Sequence, residues 1–212
     1  MMSTQTRDII DLLAGIEPGS RLDVIRARRL QAQENAQKSY AALFEPADFA
    51  EVSGAERHAV AALVAGLHGE PAAGSFYLAR LVETADRPEL VELVKAEIER
   101  GRTSGPYGAF PAGQLSVEDK AGLVYRVSGD ARRVLGARLA SALEHAHLLV
   151  FRPRDASPVA MQALLYAGWS NTAVVTLSQL VAFLSFQIRT VAGLRTLSAS
   201  LEQPANAAVE TN

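Results

Sequence analysis

An all-α fold is the expectation, and three features of the chain carry it. Where apolar residues are dense they recur at helical spacing, and nothing alternates in the manner of a strand. Helix start and stop signals punctuate the chain from end to end. The third feature is the stretch from Ala156 to Ile188, 33 residues without a charge in a chain that is 21% charged. Gly168, Trp169, Ser170 and Asn171 interrupt it, and Gln162, Gln179 and Gln187 are scattered through it. No segment therefore approaches the ~20 mostly apolar residues of a membrane span. It reads as two core helices, Pro158 to Ala167 and Asn171 to about Leu194.

In order, residues 1–19 read as a polar lead with one short helix, Asp8 to Ala14, stopped by Gly15 and Pro18. From Arg21 to Phe44, Leu22, Ile25, Leu30, Ala36, Tyr40, Leu43 and Phe44 recur at helical spacing, and Pro46 ends that helix. Arg26, Arg28, Arg29 and Lys38 lie between them. They are suited to an anion or an acidic neighbour, although a solvated face is the simpler reading. Ser53-Gly-Ala-Glu56 is a capping box, followed by Val60, Leu63, Val64 and Leu67 on one face and closed by Gly69 and Pro71. Further helices are expected from near Ser75 and from Pro88 to Arg100. The glycine- and proline-rich Arg102 to Leu115 reads as a connector between two helical halves, about 20–101 and 116–197. A short helix from Ser116 to Arg126 and a longer one from Asp130 to Phe151 come after it. The tail 198–212 is polar and expected to fray.

Composition narrows the function classes. The 212 residues are enough for one well-cored domain, 49% apolar but only 6% aromatic, so the core must be Ala, Leu and Val in closely packed helices. A net charge of −2 argues against a nucleic-acid partner. With no cysteine there is no disulfide, thiolate nucleophile or thiolate metal site. Met1 to Arg7 is polar, and Asp8 and Asp11 break up the short apolar stretch after it, so no signal peptide is read and a cytoplasmic setting is expected.

Two stretches carry a family resemblance. Ser157 to Leu197 has a helix, an Ala-Gly-Trp-Ser turn and a long apolar helix with Arg189-x-x-x-Gly193-Leu194. It resembles the C-terminal part of the peroxidase-related branch of the AhpD-like (alkylhydroperoxidase D, carboxymuconolactone decarboxylase) family. Ser53 to Gly69 is similar to the helix leading into that family's active site. The resemblance covers about residues 20 to 197 and implies a helical bundle assembled as a trimer or hexamer. It also implies a motif, Glu-x11-Cys-x2-Cys-x3-His, that this chain does not keep. Aligned on Glu56-Arg57 and Gly69, the four positions hold His58, Glu70, Ala73 and Tyr77. The histidine of the decarboxylase branch also falls on Tyr77. Without sulfur at either cysteine position, the chain cannot be a thiol peroxidase by itself.

What remains around the expected pocket is His58, His68, Glu70, Tyr77 and Arg80. By the resemblance, His58 and Glu70 occupy positions whose side chains meet, which suits a general base with an orienting carboxylate. Tyr77 would donate to an oxyanion, and His68 and Arg80 would hold a small organic substrate. The expectation is cofactor-free acid–base chemistry on, or binding of, such a molecule. The alternative is a non-catalytic structural or interaction partner of a cysteine-bearing AhpD-like peroxidase. An open pocket joining His58 to Glu70 or Tyr77 would favour the first, and a filled one the second. Glu144-His145-Ala-His147 does not make a metal site, because residues two apart on a helix point away from each other. Arg152, Arg154 and Asp155 read as an ion-pair turn, and Trp169 as a packing anchor. The last helix, apolar nearly all round, needs cover from its own domain or from a second subunit, so a homo-oligomer is expected and no membrane.

Overall fold

The computed structural model describes residues 7–49 and 51–202. They form α1 (Ile9–Ala14), α2 (Arg21–Ala27), α3 (Leu30–Phe44), α4 (Gly54–His68), α5 (Pro71–Thr84), α6 (Pro88–Gly101), α7 (Gly129–Phe151), α8 (Pro158–Tyr166) and α9 (Asn171–Glu202). Short 3-10 turns lie at Gln114–Glu118 and Pro153–Asp155. Among the described residues there is no strand, only an isolated bridge between Gly108 and Lys120, so the chain is all-α.

The bundle is centred on α4. Its capping box forms as read: the Ser53 hydroxyl accepts from the Glu56 N–H at 3.2 Å and the Glu56 carboxylate accepts from the Ser53 N–H at 2.9 Å. Gly69 closes the helix with φ 67°, where glycine alone is unstrained. Ala59 to Ala65 are 0% exposed. Seven consecutive buried residues leave no solvent face, so the helix must be surrounded, and α3, α5, α6, α7 and α9 all pack on it. Small side chains let those neighbours come close: a Cβ on Gly66 would lie 2.6 Å from Ile98 of α6.

Several boundaries differ from expectation, each through a long-range partner. Asp8 caps α1, and Ile9, Ile10 and Leu13 are buried, so the polar lead adds to the core. The expected single helix over Arg21–Phe44 breaks at Arg28 and Arg29. Of the basic cluster, Arg26 turns inward, 2.8 Å from Asp8 and 2.5 Å from Asp11, while Arg28 and Arg29 stay exposed. Helix α5 starts at Pro71, not near Ser75, because the Glu70 carboxylate caps the Ala73 N–H at 2.6 Å and proline suits the first helical position.

The helix expected over Ser116–Arg126 does not form beyond the 3-10 turn. Its backbone groups pair away from the segment instead, Lys120 with Gly108 and the Leu123 carbonyl with the Tyr107 hydroxyl, and just beyond it the Val127 N–H donates to Glu144. The Tyr125 hydroxyl donates to buried Glu97 at 2.7 Å. Tertiary pairing here outweighs a local cap signal.

Helix α7 opens one residue early, on a Ser128 cap, and is broken at Gly136 (φ 78°, ψ 162°), a backbone region open essentially to glycine alone. Helix α9 continues past Leu194 to Glu202, through the start of the tail expected to fray; residues 203–212 and 1–6 lie outside those described. By length and composition α7 and α9 are each apolar enough to cross a bilayer, which corrects the expectation that no segment is.

The uncharged run is core on one side only. Of its 33 residues 11 are buried and 16 exposed. In α8 Leu164 alone is buried. The inner side of α9, with Leu177, Leu180, Leu184, Ile188 and Val191, packs into the bundle.

Candidate functional site

The α4–α5 hairpin carries every residue singled out for chemistry, and its length separates them. At 1.5 Å per residue, the helix from His58 to His68 covers ~15 Å, and Glu70 lies beyond it. The expected couple of His58 with Glu70 is therefore absent. His58 instead faces the far end of α5, its Nδ1 3.1 Å from the Thr84 hydroxyl. That hydroxyl donates to the Arg80 carbonyl at 2.9 Å, so the imidazole Nδ1–H is the donor between them.

Phe44 occupies the space an open pocket would need. Buried Arg57 donates to the Leu43 carbonyl at 2.7 Å and to the Val52 carbonyl at 2.9 Å, clamping the end of α3 against α4. The Phe44 ring then lies 5.4 Å from the His58 ring and 5.2 Å from the Tyr77 ring, between centroids. Tyr77 does not meet His58. Its hydroxyl donates to Gln187 Oε1 of α9 at 2.5 Å, both residues being 0% exposed.

Glu70 and His68 also turn to α9. The second Glu70 oxygen accepts from Arg195 at 3.2 Å, and His68 Nε2 is 3.3 Å from the Ser185 hydroxyl. Arg80 is exposed, paired with Glu83 at 2.7 Å and lying over the Phe76 ring at 5.2 Å. So Ser185, Gln187 and Arg195 receive three of the five candidates, and these contacts fasten α9 to the hairpin.

Electrostatics follow burial. Removal from water, then the Arg80 charge, hold the His58 imidazole down to about 4, so it is neutral and weakly basic at pH 7. A general base works best with a pKa near the working pH. Burial pushes the Tyr77 phenol well up, keeping it a protonated donor. Burial and then Arg189 lower His68.

An open cleft of about 670 Å³, lined by residues including Phe49, Glu56, Thr84, Arg87 and Arg138, reaches Thr84 but not His58. Its Arg138 is a centre that the sequence reading missed. The guanidinium donates to Glu56 at 2.7 Å, to the Gly168 carbonyl at 2.7 Å and to the Glu51 carbonyl, and lies 3.7 Å over the Trp169 ring. Trp169 answers by donating to the Arg138 carbonyl at 2.8 Å, as befits a packing anchor. These partners lie 30 to 87 residues away, so no local pattern announces them.

The Glu144–His147 segment disperses. His145 meets Ser178 at 3.1 Å, His147 meets the Gly101 carbonyl at 2.9 Å, and Glu144 takes Arg132 at 2.5 Å. Arg152 and Asp155 pair at 3.2 Å, as an ion-pair turn should.

Fold and site together define an all-α bundle in which an α-hairpin is keyed to a long C-terminal helix by one buried polar pair and two part-buried ones. Compared with known proteins, the chain matches no family model, no curated protein and no solved structure.

Proposed function

We propose that this chain is a non-catalytic interaction protein on an AhpD-like helical frame, working through the uncharged outer face of α8 and α9. The observation that carries the reading is the Phe44 ring, which fills the space between His58 and Tyr77 and leaves neither open to a substrate. The surface supports it from the other side. Val159 and Tyr166 of α8 are 79% and 84% exposed, in a helix with one buried residue. With Val175 and Phe186 of α9, also exposed, they give a partner apolar side chains to bury on a face without charge. A homo-oligomer, or a complex with a cysteine-bearing sister protein in the cytoplasm, fits that surface; a net charge of −2 gives nucleic acid no footing.

The test is turnover. Purified chain is assayed for peroxide consumption with and without added thiol. A set of small organic acids is then screened by thermal shift and product analysis, for wild type, His58→Ala and Glu70→Ala. The expected result is no turnover and no shift that differs between wild type and the variants. Turnover lost on replacing His58 overturns the proposal.

One observation favours a second reading, a bound small organic acid: the 670 Å³ cleft sets Arg87 and Arg138 beside the apolar Phe49, Leu90 and Leu139. Arg138 is already spent on Glu56 and two carbonyls, which leaves Arg87 to hold the carboxylate. A ligand whose thermal shift disappears in Arg87→Ala would establish it.

A further inference from the structure

We propose that the outer stripe of α9 is a seam for a second copy of this chain, packed antiparallel. The proposal rests on the interaction reading and names its partner. Thr172, Val175, Gln179, Ala182, Phe186 and Arg189 are all exposed and succeed one another at alternating steps of three and four. That is the seven-residue repeat of a two-helix seam. Val175 and Phe186 are 56% and 50% exposed. The opposite side of α9 is fastened inward by Leu180, Leu184, Gln187 and Ile188, so the bundle cannot turn this stripe in.

Charge selects the occupant and its direction. The stripe is uncharged from Thr172 to Phe186, which suits an equally uncharged partner. Its first charge, Arg189, lies toward the C-terminal end. Toward the N-terminal end is the exposed Glu51 carboxylate, which accepts from the Ser170 hydroxyl. A surface positive at one end and negative at the other complements itself only when reversed. Antiparallel pairing sets position 175 against 186, 179 against 182 and 172 against 189. Each Arg189 then lies beside the other copy's Glu51, and the small Ala182 sits near the two-fold axis, where the helices come closest. A parallel pair would oppose Arg189 to Arg189 and Glu51 to Glu51, and like charges repel.

Because the chain has no cysteine, introduced cysteines report pairing without background. Val175→Cys chains mixed with Phe186→Cys chains should give a disulfide-linked pair on oxidation, since a bridge needs Cα atoms within ~7 Å. Val175→Cys chains alone should not, because their two thiols would lie ~16 Å apart along the seam. Light scattering of wild type should give twice the monomer mass. Arg189→Glu should weaken the pair severalfold, and Glu51→Arg combined with Arg189→Glu should restore it, with circular dichroism unchanged throughout. A monomer at every concentration overturns the proposal. So does linkage of Val175→Cys alone, or flotation of wild type with neutral phospholipid vesicles, which would make the stripe a lipid-facing surface. A monomeric result leaves the turnover assay to decide the non-catalytic reading. Turnover would sink that reading without changing the cross-linking pattern.

Discussion

Replacing His58 with phenylalanine should flatten the acid side of the stability profile. The ring is 6% exposed and stacked on Phe44, so phenylalanine keeps the packing and removes the proton. Burial, with Arg80 assisting, holds the native imidazole at about 4 against 6.5 for the unfolded chain. Between those values the unfolded chain binds a proton that the native one refuses. Stability must therefore fall as pH drops through that window, and the penalty is absent above 6.5. The slope cannot exceed about 1.36 kcal/mol per pH unit for one group. With allowance for solvent screening, the whole window costs about 2–3 kcal/mol. Urea unfolding followed by circular dichroism at pH 8, 6.5, 5.5 and 4.5 measures it in both proteins. His68, His145 and His147, also lowered by burial, are common to both and cancel in the difference. Loss of the bond to Thr84 only offsets the variant equally at all pH values above the window. Parallel curves for wild type and His58→Phe would refute the assignment of a buried neutral imidazole.

Three further outcomes test the packing. Gly66→Ala places a Cβ 2.6 to 3.0 Å from three Ile98 carbons and should cost about 1–3 kcal/mol in chemical unfolding, partly recovered by Ile98→Val; an unchanged midpoint would mean that α4 and α6 are less tightly apposed. Tyr77→Phe strands the buried Gln187 amide, whose Nε2 is already unpartnered, and should cost about 1–3 kcal/mol. Adding Gln187→Leu should recover much of that loss, and a double variant no more stable than the single one would contradict the account. Gly136→Ala meets open space but inherits φ 78° and ψ 162°, so backbone strain alone should lower stability by about 1–3 kcal/mol, and a neutral thermal melt would count against the break in α7.

What could be read in advance was whatever is written locally. The Ser53–Glu56 box, Gly69, Pro88 and the Gly-Trp-Ser turn all specify helix ends within a few residues, and those ends stand. Failures began where the deciding partner is remote. Ser116-x-x-Asp119 looks like a helix start, but Tyr107, Glu97 and Glu144 claim the backbone and side chains downstream. Nothing near Arg28 warns of a break in the Arg21–Phe44 periodicity, while Arg26 is held by carboxylates of the preceding helix. At the site, the family resemblance implies that His58, Glu70 and Tyr77 share one pocket. Helix rise alone puts ~15 Å or more between His58 and Glu70, a distance that spacing in the chain does show. Gln187 was visible as a polar residue in an apolar run; its partner Tyr77, 110 residues earlier, was not.

The residues assigned to chemistry serve a different end, helping to fix which way α9 faces. The inner side of α9 carries Leu177, Leu180, Leu184, Ile188 and Val191, and sliding by one residue would turn the helix by about 100°. A turn by one residue would carry Ser178, Ser185 and Arg189 inward in place of Leu177, Leu184 and Ile188, and the hydrogen bonds would be lost with that packing. Gln187 would leave Tyr77, and at least one buried polar group would lose its partner at a cost of about 1–3 kcal/mol. Ser185 would leave His68 and Arg195 would leave Glu70 at the same step. At the helix start, Arg138 holds the Gly168 carbonyl and stacks on Trp169, fixing where α9 enters the bundle. Polar pairs and apolar packing on the inner side thus fix together the stripe left outside, and that stripe is the one bearing Val175 and Phe186. Substitutions at Tyr77 or Gln187 should accordingly disturb self-association from inside the core, without touching any residue of the seam.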